Sequence, residues 1–155
     1  MNVKISCGAK EDGIVIGNTY DKYGSQNLVV KWMMKKFDLT LSDFVNQVSP
    51  RTIHEIGCGE GYWVLRWHEK GFQTKGSDFS KKIIEIARGN ASSREVPTSL
   101  FEAKSIYNLS AEQDSADLIV CCEVLEHLED PENGLKALQK VVNGYLVASV
   151  PREPI

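Results

Sequence analysis

Ten residues limit this chain more than any others: I-H-E-I-G-C-G-E-G-Y, Ile53 to Tyr62. An apolar run leads into Gly57, Gly59 and Gly61, and a helical pattern beginning Y-W-V-L-R-W follows at once. Three glycines at two-residue spacing give a backbone that can take positive φ and lie flat under a ligand. A strand, a bare turn and a helix in that order open a βαβ unit.

From Thr52 onward short apolar runs alternate with helical periods. Strands are expected at Ile53–Ile56, Phe72–Ser77, Leu100–Ala103, Asp117–Cys122 and Tyr145–Val150, the last after an Asn143-Gly144 turn. Helices are expected from Tyr62 to Lys70 before Gly71, from a Ser80 cap to a Gly89-Asn90 stop, and from Asp130-Pro131 to Val141. Pro131 suits a first helical position, where its missing N–H is not needed. Such alternation predicts an α/β fold, a doubly wound parallel sheet with helices on both faces. Ahead of it, residues 1–18 lack periodicity and read as a loosely ordered arm. Leu28, Val29, Trp32, Met33, Lys36 and Phe37 recur at helical spacing, and Leu41, Phe44, Val45 and Val48 form a second apolar face that ends at Ser49-Pro50. The division expected is 1–50, arm and cap helices, and 51–155, ligand-binding core.

At 155 residues with 42% hydrophobic side chains, there is core for one domain and not two. The net charge of −3 provides no basic field to hold nucleic acid. No apolar run approaches a membrane span. Cys7, Cys58, Cys121 and Cys122 form no C-x-x-C pair, consistent with a reducing, cytoplasmic setting.

The glycine spacing separates two ligands. In a dinucleotide fingerprint the third glycine follows the first by five residues; here Gly61 follows Gly57 by four, and Tyr62 holds the fifth place. Asp78 stands 21 residues beyond Gly57, where a carboxylate can accept both hydroxyls of a ribose. The pattern suits an adenosyl ligand without a pyrophosphate and disfavours NAD.

E-I-G-C-G-E-G resembles motif I of the class I S-adenosylmethionine-dependent methyltransferases. The similarity continues in order through G-S-D-F-S, F-E-A-K-S-I-Y-N-L, A-D-L-I-V-C-C-E-V-L-E-H-L and L-V-A-S-V-P. That resemblance implies a Rossmann-like sheet of strand order 3-2-1-4-5 with S-adenosylmethionine at the carboxyl ends of strands 1 and 2. It also implies that Gly57, Cys58, Gly59 and Gly61 pass under the methionine and ribose portions, and that Glu55 holds the loop and the cofactor ammonium. Asp78 would take the ribose diol and Phe79 would lie against the adenine. Ser105 and Ile106 would face the adenine edge, although the family usually has Asp where Ser105 stands. Cys121 would offer its carbonyl to the ammonium, and Tyr20 resembles a tyrosine folded over the methionine carboxylate.

Glu123, Glu126 and His127 fall on one helical turn, in a pattern similar to metal-ligand segments of some O-methyltransferases. No later histidine completes such a set, so no metal is expected. His127 is then a candidate general base or, with Glu126, a residue that fixes the loop. His54, inside a strand buried on both faces, reads as a hydrogen-bonded core residue. The family's sheet continues with two more strands, whereas this sequence stops at S-V-P-R-E-P-I. A sheet truncated after strand 5, able to self-associate through that edge, is expected. The acceptor is expected to be a small molecule or lipid intermediate. The alternative is a cofactor-binding module without turnover that acts through a partner chain.

Overall fold

The computed structural model describes residues 1–151; the last four of the expected 51–155 core lie outside the described residues. A two-stranded hairpin, β1 (Lys10–Glu11) and β2 (Ile14–Val15), comes first, then one long helix, α1 (Leu28–Val48). β3 (Thr52–Ile56), α2 (Tyr62–Glu69), β4 (Gln73–Asp78), α3 (Lys81–Ser92), β5 (Phe101–Ala103), α4 (Ala111–Asp114), β6 (Ala116–Cys122), α5 (Pro131–Val141) and β7 (Val142–Ser149) follow. β3 to β7 form one parallel sheet in the order β5-β4-β3-β6-β7. Counted from the first core strand this is 3-2-1-4-5, so the doubly wound, Rossmann-like fold is the observed one.

Alternation along the strands assigns the faces. Ile53 of β3 with Leu118 and Val120 of β6 packs against Leu41, Val45, Trp63 and Trp67 of α1 and α2. Ile56, Ile119 and Cys121 point the other way, onto Ala137, Leu138 and Val141 of α5. Full burial of each large side chain contributes about 1.5 to 3 kcal/mol, so the central strands are fixed from both sides.

Four local expectations are corrected. The two apolar faces before Pro50 belong to one 21-residue helix, because no breaker separates Phe37 from Leu41. Asn27 caps its start by accepting from Val29 N at 2.9 Å, and Ser49 ends it in the left-handed region at φ 45°. Phe37 and the later apolar set face the core; Leu28, Val29, Trp32 and Met33 are exposed.

The arm is not loose. Val3 and Ile16 are buried, and Asn90 holds the arm by accepting from Lys4 N at 2.8 Å and donating to Lys4 O at 3.0 Å. For the same reason Gly89-Asn90 does not stop α3, which runs to Ser92 with Asn90 inside it. The tertiary bonds to the arm reward the helical conformation that this dipeptide alone disfavours.

Asn143-Gly144 is not a turn. α5 passes directly into β7, and the pair sits in a bulge where the register shifts between Ala116 and Leu118. A Cβ on Gly144 would lie 2.7 Å from Asp117 O, so glycine permits the close approach of the two strands. β7 is an outer strand among the described residues. Leu146 and Val147 pack onto the two faces of the core, whereas Tyr145 and, just beyond the strand, Val150 are exposed.

Candidate cofactor site

Three segments meet at the carboxyl ends of β3, β4 and β6. The glycine turn is fixed first: Gly57 N and Cys58 N both donate to Ser77 O, at 2.8 and 3.0 Å, and Gly61 N donates to Cys58 O at 3.0 Å. Gly57, Gly59 and Gly61 all have positive φ. Their reasons differ. A Cβ on Gly57 would strike Val124, and one on Gly61 would strike Phe101, but a Cβ on Gly59 would meet nothing within 4 Å. Gly57 and Gly61 are required by packing, whereas Gly59 faces open space.

Asp78, at the end of β4, ties this turn to the next loop. Its Oδ2 accepts from Gly59 N at 3.1 Å and its Oδ1 from Ser80 N at 3.1 Å. Burial raises its pKa, and the two amides oppose that shift. Each carboxylate oxygen has a second lone pair, so a diol can still be accepted. Lys104 N donates to Asp78 O at 2.8 Å, bringing the end of β5 alongside. Ser105 caps the following turn by accepting from Tyr107 N at 3.3 Å, so its hydroxyl is partly engaged; Ile106 is buried against the α5 side. Phe79 is exposed beside Asp78.

Glu55 is 5% exposed, and its Oε2 has no hydrogen-bond partner among the described residues. Burial pushes its carboxyl well above the ordinary range, opposed by the Val64 amide and by Lys22. An unpartnered buried carboxylate oxygen is costly and points to a cationic partner. Cys121 is fully buried in β6, with its thiol pushed up to about 12 by burial; Cys58 is buried in the turn.

The tyrosine beside Glu55 is Tyr23, not Tyr20. Tyr20 is 61% exposed. Tyr23 stacks on Tyr62 with ring centroids 3.8 Å apart and meets Trp63 edge-on at 6.3 Å. Burial, then the nearby Glu55 and Glu60 carboxylates, raise its hydroxyl pKa. The resemblance pointed to Tyr20 alone, and the packing partner on α2 is what singles out Tyr23. Glu60 was also missed. Buried within the glycine turn, it accepts from Ser6 N at 3.0 Å and Asn18 N at 2.8 Å, clamping the arm to the site. A charged residue between two motif glycines was the available signal.

After β6 the chain turns sharply at Glu123, whose φ of 58° is left-handed. Its carboxylate accepts from Ser149 Oγ at 3.1 Å. His127 is 77% exposed, with Nε2 3.9 Å from Glu126 Oε1. Among the described residues no three His, Cys, Asp or Glu side chains are placed to hold a metal ion. His54 is a core residue: Nδ1 lies 2.8 Å from Asp114 O and Nε2 3.0 Å from Ser77 Oγ.

A family model described as a methyltransferase domain matches residues 54–148, more than half of the chain. The chain belongs to this family, the class I S-adenosylmethionine-dependent methyltransferases. The chain is 29% identical over 104 residues to a ubiquinone biosynthesis O-methyltransferase of Chromobacterium violaceum, covering 64% of this chain and 44% of that one. It thus spans less than half the length of that curated relative. In fold it is similar to the PH0226 protein of Pyrococcus horikoshii, with a TM-score of 0.67 at 23% identity, over 84% of this chain and 57% of that one. A magnesium protoporphyrin IX methyltransferase of Synechocystis, solved with bound S-adenosylmethionine, superposes with a TM-score of 0.66 at 21% identity, over 83% and 66%.

This chain's own residues fit the family cofactor on two independent observations: the unpartnered Glu55 Oε2 suits an ammonium, and the open space over Gly59 suits a closely laid ligand. No helix among the described residues is long and apolar enough to cross a membrane.

Proposed function

We propose that this chain binds S-adenosylmethionine and forms the donor half of an enzyme that methylates a small-molecule or lipid-intermediate acceptor. The observation that carries this reading is the pairing of Glu55, with one buried oxygen unpartnered, and Asp78, across the glycine turn. Glu55 would hold the ammonium, Gly59 the backbone floor, Asp78 the ribose diol and Phe79 one face of the adenine. Ser105 and Ile106 would border its edge, and the Cys121 carbonyl would add an acceptor near the ammonium. When bound, the cofactor supplies a methyl group already activated by a positive sulfur. The chain's task is therefore alignment and exclusion of water, for which Tyr23, Tyr62 and Trp63 form an apolar wall. His127, one turn beyond Val124, would accept a proton from the acceptor.

The ubiquinone-biosynthesis relatives, 27 to 30% identical, support a lipophilic hydroxyl acceptor. The absence of a basic field in a chain of charge −3 supports the same class over nucleic acid. The exposed Tyr145 on β7 and Val150 just beyond it favour a second reading, a binding module that pairs with another chain through that edge. Sedimentation of the chain tests it: a monomer at all concentrations removes this reading.

Calorimetry with S-adenosylmethionine, S-adenosylhomocysteine and NAD tests the main proposal. Binding of the first two and not the third is expected. Asp78→Ala should weaken that binding by about 1.5 to 3 kcal/mol, the worth of hydrogen bonds to a charged group. Undiminished affinity would place the ribose elsewhere.

A further inference from the structure

The inner face of α1 is held to the core by Leu41 and Val45, with Asp38 paired to Arg66 at 2.9 Å. Among the described residues its outer face has no such cover. Leu28, Lys31, Trp32, Lys35, Lys36 and Leu39 follow one another at i, i+3, i+4, i+7, i+8 and i+11, a single stripe. Leu28 is 80% exposed and Trp32 58%, with Val29 and Met33 exposed beside them. The Lys36 ammonium stands 4.2 Å over the Trp32 ring.

We propose that the outer face of the first half of α1 is a docking surface for an anionic lipid bilayer. The charge supports that occupant. From Lys22 to Phe37 the chain carries four lysines and no Asp or Glu, although its net charge is −3. A helix with Trp and Leu between lysines lies in the plane of a bilayer interface, its apolar side chains below the headgroups and its ammoniums among them. Because the opposite face is locked to the sheet, α1 cannot bury Trp32 by rotating; only another body can. A second copy is the poorer partner, since a two-fold contact through this stripe would set lysines against lysines.

The placement has a consequence for the site. α1 is capped by Asn27, four residues after Tyr23, which stacks on α2 beside Glu55. Docking through Leu28 and Trp32 would thus bring the acceptor side of the site against the lipid surface. The surface itself does not depend on the proposed acceptor, because vesicle binding is read without methyl transfer.

Flotation of the full chain with vesicles of mixed phosphatidylglycerol and phosphatidylcholine, beside vesicles of phosphatidylcholine alone, tests the proposal. The protein should float with the anionic vesicles only, and added salt should release it. Trp63 and Trp67 are buried, so a blue shift of tryptophan emission on binding should come from Trp32 and vanish in Trp32→Phe. Lys31→Ala/Lys35→Ala/Lys36→Ala should lower partitioning on the order of a hundredfold, with the far-ultraviolet dichroism melt showing that the variant is folded. Absence of flotation, equal flotation with neutral vesicles, or full binding by the folded triple variant would each overturn it. A dimer abolished by Trp32→Ala, in a chain that does not float, would assign the face to a second copy instead.

Discussion

The Glu60 carboxylate and the Asn18 amide, forty-two positions apart in sequence, are 2.8 Å apart in the fold. The same carboxylate also accepts from the Asn18 side chain and from Ser6 N, so one residue of the glycine turn anchors the whole arm. Glu60→Ala leaves three part-buried donors without their acceptor and should cost about 2 to 4 kcal/mol. Urea unfolding measures this, and proteolysis should then cut within the first 18 residues. An unchanged midpoint with an intact arm would show that Asn90 suffices to hold it.

Gly59 and Gly61 should separate binding from stability. Gly61→Ala forces a Cβ to 2.6 Å from Phe101 at φ +86°, and left-handed strain plus overpacking should cost about 2 to 4 kcal/mol. Gly59→Ala has space, so only strain of about 1 to 2 kcal/mol is expected, while S-adenosylhomocysteine affinity should drop tenfold or more, on the order of the contacts a methyl displaces. Calorimetry beside thermal unfolding distinguishes the two; equal affinity in Gly59→Ala would remove it from the floor of the site.

Cofactor binding should release a proton from Glu55. Burial raises its folded pKa well above 4.5 and so disfavours the charged form in the free protein, whereas an adjacent ammonium favours the charged form. Stability from this group is present below 4.5 and lost as pH rises through the raised value, whereas affinity should rise over that window. Calorimetry in two buffers of different ionisation heat counts the proton. Glu55→Gln should abolish the release and weaken binding by about 1.5 to 3 kcal/mol. Release that persists in the variant would assign it to another group.

His54 should give a slope of the opposite sign. Burial lowers its pKa from 6.5 to about 4. Below 6.5 the unfolded chain takes up a proton that the folded chain refuses, so stability falls as pH drops through that window, by up to about 3 kcal/mol. His54→Gln retains donors and acceptors near Ser77 and Asp114 but cannot titrate there. The difference between the two proteins' unfolding free energies should shrink towards pH 4; a constant difference would mean that His54 is protonated in the core.

The parallel sheet and the line of the glycine turn were legible in the order of the residues alone. Both arise from local rules: alternating buried runs fix strand and helix, and positive φ at Gly57 and Gly61 fixes the turn. Asp78 was equally legible, being set by its distance along the chain from that turn. Tertiary structure decided the rest. Asn90 leaves its expected stop signal because the arm binds it, and Tyr23 is held beside Glu55 because it stacks on Tyr62. Helical periodicity identified the apolar residues of α1 but not which of them face inward, since Trp32 and Phe37 obey the same period. Contact with β6 and α2 buries the second half of that helix and leaves the first half to solvent. Local propensity is written in neighbouring residues, whereas burial depends on which distant surface arrives, and that is a property of the folded chain.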